Sequence, residues 1–72
     1  MLRVGMLREA AELFVTGDVS TGKLVLRNYV DATIGFPRFA DRLGKQPKTL
    51  MRMLSASGNP TAANLFAMLA AL

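Results

Sequence analysis

A chain of 72 residues, 51% of them hydrophobic, carries nine Lys and Arg against five Asp and Glu, for a net charge of +4, and contains neither cysteine nor histidine. Without those two residue types there is no disulfide, no thiolate nucleophile, no imidazole base and none of the usual nitrogen and sulfur metal ligands. The composition therefore argues against an enzyme and implies no metal or cofactor. No apolar run reaches the roughly 18 residues that cross a bilayer, and Glu9 and Glu12 interrupt the opening stretch where a signal peptide is apolar, so the expectation is a cytoplasmic protein without a membrane partner.

A single domain over residues 1–72 hides only about 60% of the surface its unfolded chain exposes. The apolar content exceeds what one small core consumes, and the surplus predicts an interface.

In chain order, the first helix is expected over residues 2–16. There Met6, Leu7, Ala10, Ala11, Leu13 and Phe14 repeat at helical spacing, with Arg8, Glu9 and Glu12 on the other side. Gly17 fits a left-handed closing residue and Asp18 a cap for the next helix. That second helix runs from about Val19 to Ala32 on the face Val19, Gly22, Leu26, Tyr29, Val30 and Thr33. Gly22 costs it up to about 1 kcal/mol unless close packing uses the missing side chain. Gly35 is expected to end it.

Residues 36–56 divide into two short helices around Gly44. Pro37 suits a first helical turn, Phe39, Ala40 and Leu43 form an inward stripe, and Gly44 supplies a positive φ. Pro47 then restarts the chain with Leu50, Met53 and Leu54 facing inward, leaving Lys48, Thr49, Met51, Arg52 and Ser55 outside. A last break at Ser57, Gly58, Asn59 and Pro60 places Asn59 as cap and Pro60 as first residue of a helix from Thr61 to Leu72. No charge follows Arg52, so this helix is apolar nearly all round and predicts a homodimer. No alternating run supports a strand, and the class is all-α.

Charge singles out one segment. Residues 36–58 hold Arg38, Arg42, Lys45, Lys48 and Arg52 against Asp41 alone, while Arg3, Arg8, Lys23 and Arg27 balance Glu9, Glu12, Asp18 and Asp31 elsewhere. The whole +4 sits where two short helices meet at a glycine, the pattern of a helix-turn-helix facing a polyanion. Counted from Phe36, the motif wants apolar residues at the fourth, eighth, fifteenth and eighteenth places. Phe39, Leu43, Leu50 and Met53 supply them, with Ala40 and Gly44 at the small fifth and glycine ninth places. Lys45 departs from the pattern where an apolar side chain usually tucks inward, and its aliphatic stem is expected to substitute.

A competing motif is Gly17, Gly22 and Lys23, matching the GxxxxGK of a phosphate-binding loop. Leu24 stands at its Ser/Thr position, and no strand precedes it.

The run TGDVSTGKLVLRNYVDATIGF, followed by KTLMRMLSASGNPTAANLFAML, resembles the HigA-type addiction-module antidote (antitoxin) proteins of the Cro/C1 (Xre) class of helix-turn-helix transcriptional regulators. The resemblance covers the chain from Leu7 onward. It implies a five-helix bundle of the λ repressor-like type that binds operator DNA as a homodimer, represses its own gene and neutralises a cognate toxin protein. Carried across, the reading positions are Gln46, Lys48, Met51, Arg52 and Ser55, with Thr49 beside them. Arg38, Arg42 and Lys45 are expected as phosphate contacts. Arg52 suits guanine and Gln46 adenine through paired hydrogen bonds, whereas Met51 can meet only a thymine methyl. The alternative is a protein–protein interaction module with the same fold and no DNA role.

Overall fold

The structure is a computed structural model that describes the backbone of residues 2–72 and the side chains from residue 5 onward. Five helices follow one another: α1 (Leu2–Thr16), α2 (Val19–Ala32), α3 (Gly35–Leu43), α4 (Pro47–Met53) and α5 (Ala62–Ala70), and no strand occurs among the described residues. No helix among them is long and apolar enough to cross a membrane.

The first two helices form an antiparallel hairpin closed by a glycine. Gly17 adopts φ +93°, the Asp18 amide donates to the Leu13 carbonyl at 2.8 Å, and the Gly17 amide donates to the Phe14 carbonyl at 3.3 Å. This pair of bonds satisfies carbonyls that the end of a helix leaves without partners. The Asp18 side chain then accepts from the Thr21 amide and starts α2. Where the hairpin closes most tightly, a Cβ on Gly22 would lie 2.5 Å from the Phe14 ring. The conformational cost of glycine in a helix is thus exchanged for close packing of α1 on α2.

Ala10, Phe14, Leu26, Val30, Phe36, Phe39, Ala40, Leu50, Leu54, Leu65 and Met68 form one buried cluster drawing on all five helices. Phe36 and Phe39 meet edge to face in it, with ring centroids 6.3 Å apart. That geometry suits aromatic quadrupoles and adds to the area they bury.

Helix α2 ends where the sequence reading placed it, but the role of Gly35 and the bounds of α5 differ from that reading. Helix α2 stops at Ala32, where the Thr33 hydroxyl folds back onto the Tyr29 carbonyl at 2.7 Å; Gly35, at φ +77°, opens α3 instead of closing α2. Helix α5 begins after Thr61 rather than Asn59, because the Thr61 hydroxyl accepts from the Asn64 amide at 3.2 Å. Pro60 accordingly lies before the helix, and α5 ends at Ala70 instead of Leu72.

Candidate nucleic-acid interface

Helix α3 closes as α1 does. Gly44 stands at φ +65°, the Lys45 amide donates to the Ala40 carbonyl at 3.0 Å, and the Gly44 amide donates to the Asp41 carbonyl at 3.3 Å. The chain then turns through residues 44–46 and restarts at Pro47, whose fixed φ and missing amide suit the first turn of a helix. Gln46 is the cap residue by backbone shape, yet its side chain makes no capping hydrogen bond and is exposed.

Leu50 (0% exposed) and Leu54 seat α4 in the core, and Met53 is half-buried beside them. At 100° per residue the opposite arc carries Lys48 and Arg52 one turn apart, flanked by Met51 and Thr49. All four are exposed, Met51 at 42%. The α3 side adds exposed Arg38, Arg42 and Lys45. Of the residues singled out by sequence, Gln46, Lys48, Thr49, Met51 and Arg52 thus share one short helix and its entry.

Three of the expected site residues are placed differently from the reading. Ser55 is not on the outer face of α4, because the helix ends at Met53; Ser55 is half-buried and its hydroxyl donates to the Arg52 carbonyl at 2.6 Å. Arg42 donates through Nη1 to the Ala71 carbonyl at 2.9 Å, which ties α3 to the C-terminal end of α5. A cation there also complements the negative end of the helix dipole. Lys45 is exposed and does not take the inward place of an apolar side chain.

Sequence reasoning missed what holds α4 from behind. Lys23 on α2 is only 4% exposed, and its Nζ donates to the carbonyls of Ser55 at 2.9 Å and Gly58 at 2.7 Å. Both acceptors lie in the loop that leaves α4. Gly58 packs so closely that a Cβ there would overlap the Arg52 carbonyl oxygen and lie 2.7 Å from that of Met53. A glycine and a buried amine therefore secure the end of a helix too short to hold itself. The GxxxxGK spacing that brings Lys23 to notice has no phosphate loop behind it, since Gly22 and Lys23 lie inside α2.

No family model, curated protein or solved structure matches the chain. The surface of α4 and its entry joins two cations, an amide side chain, a hydroxyl and a thioether on a helix whose other side is seated in the core. Such a surface can donate hydrogen bonds and positive charge into a groove.

Proposed function

We propose that this protein is a sequence-specific DNA-binding transcriptional regulator in which α3 and α4 form a helix-turn-helix of the λ repressor-like type. The observation that carries the reading is the division of α4. One side is locked into the core by Leu50 and Leu54, while the other presents Lys48, Thr49, Met51 and Arg52 within the segment that holds the entire positive excess of the chain. Helix α4 enters the major groove, Arg52 and Gln46 address base edges, Lys48 reads or positions, and Arg38 and Lys45 bind phosphates. Arg42 contributes a phosphate contact through the guanidinium nitrogens that Ala71 does not occupy.

Two copies place two such helices in half-sites about 34 Å apart. The resemblance to antidote proteins extends the reading to an autorepressor that also binds a cognate toxin. The competing reading is an interaction module without a DNA role. It is favoured by α5, which is free of charge and exposes Phe66 at 50%. A mobility-shift titration with the duplex upstream of the protein's own gene separates them. Retardation that survives competitor DNA and weakens with salt supports the regulator, and no retardation at low salt supports the interaction module.

A further inference from the structure

Helix α1 carries an outward stripe that none of the DNA chemistry uses. Gly5, Arg8, Glu12 and Val15 are all exposed, and at 100° per residue they fall within about 80° of one another. Their spacing of three, four and three residues is that of a helix-pairing seam. Val15 is 74% exposed, more than Leu24, Met51 or Phe66. Arg8, Ala11, Glu12, Val15 and Thr16 line a shallow groove of about 360 Å³ around it. At the other end of the stripe, a Cβ built on Gly5 would meet nothing within 4 Å.

We infer that this stripe pairs with the same stripe of a second copy, antiparallel, about a two-fold axis passing at the level of residue 10. The order of chemistry along the stripe is gap, cation, anion, knob, and reversing it gives its own complement. Under that axis Arg8 faces Glu12 of the second copy, and Val15 covers the gap above Gly5. Each contact occurs twice, as an isologous interface requires.

The occupant is a second copy because the charge order fits itself. The stripe shares no residue with the outer face of α4, and the pairing rests on and deepens the reading of a two-fold DNA binder by naming its contact surface. One helix of 15 residues is about 22 Å long and offers less than the roughly 800 Å² per partner of a standard interface. The dimer is accordingly weak without DNA, with Kd on the order of tens of micromolar.

Sedimentation equilibrium of the full chain without DNA tests the pairing separately from the DNA reading, with circular dichroism to verify that each variant is folded. Arg8→Glu and Glu12→Arg each set two like-charged pairs face to face and should weaken the dimer by about tenfold or more. The double variant Arg8→Glu/Glu12→Arg restores opposite charges both across the axis and within α1, and should return the affinity to within about threefold of the original. Val15→Lys should leave a monomer, and Phe66→Lys on α5 should leave the dimer intact. A wild-type chain that stays monomeric at hundreds of micromolar, an order-of-magnitude limit for weak pairing, overturns the inference. So does a dimer lost in Phe66→Lys but kept in Val15→Lys, or a double variant no better than the single ones.

Discussion

The turns at Gly17 and Gly44 are the same device put to different uses. Each closes a helix with a left-handed glycine and the same pair of backbone hydrogen bonds, linking Asp18 to Leu13 and Gly17 to Phe14 in one, and Lys45 to Ala40 and Gly44 to Asp41 in the other. They part at the next residues. Asp18 folds back at once and caps α2 through the Thr21 amide, so the first turn is locally complete. The second continues through exposed Lys45 and Gln46 into Pro47, and Gln46 forms no cap. A local stabilising bond is thus missing at the entry to α4, on the side proposed to face DNA. Helix α4, with only seven residues, is therefore held by tertiary contacts on its far side.

That contrast breaks first if Leu50 is not the anchor of α4. Leu50→Ala removes a fully buried side chain and should cost about 2–5 kcal/mol in denaturant unfolding, enough to abolish DNA binding through loss of the fold. Lys23→Met should cost about 1–3 kcal/mol, because the Ser55 and Gly58 carbonyls lose their donor while the aliphatic volume is kept. Hydrogen exchange of the amides in residues 53–58 should rise in that variant before exchange in α1 does. Unchanged protection would show that Lys23 does not secure α4.

Substitutions on the outer face should reverse the pattern. Arg52→Ala should shift unfolding by no more than about 0.5 kcal/mol, yet weaken specific DNA binding by about 1–3 kcal/mol and relax preference at one base pair. An equal loss on every sequence would make Arg52 a phosphate contact. The smallest effect expected has the opposite sign: Gln46→Ser supplies the missing cap and should stabilise the fold by about 0.5–1 kcal/mol while reducing affinity for DNA. A gain in both would mean that Gln46 is not kept for recognition.

Much of this arrangement is legible in the sequence because it is local. The left-handed glycines at residues 17 and 44, the span of α2, the close packing at Gly22 and the inward stripe of α3 each follow from residue types a few positions apart. The burial of Lys23 does not. Its partners are backbone carbonyls 32 and 35 residues away, and a carbonyl carries no residue-type signal. The same applies to Arg42 and the Ala71 carbonyl. Ser55 looked outward only for as long as α4 was extended past Met53, an end set by Gly58 packing on the last carbonyls. The cap of α5 turned on a choice between Asn59 and Thr61, two residues with the same chemical qualification, and it is Thr61 whose hydroxyl accepts from the Asn64 amide.

The reading of α4 as a DNA helix is tested most directly by fluorescence anisotropy of a labelled duplex from upstream of the protein's own gene, titrated across a range of salt concentrations. Saturable binding that outlasts nonspecific competitor, with a slope of log K against log salt of about −3 to −5 per subunit, is the expected result, since three to five phosphates are neutralised at about −0.9 each. No binding at low salt, or binding whose affinity is the same for every duplex tested, would contradict it.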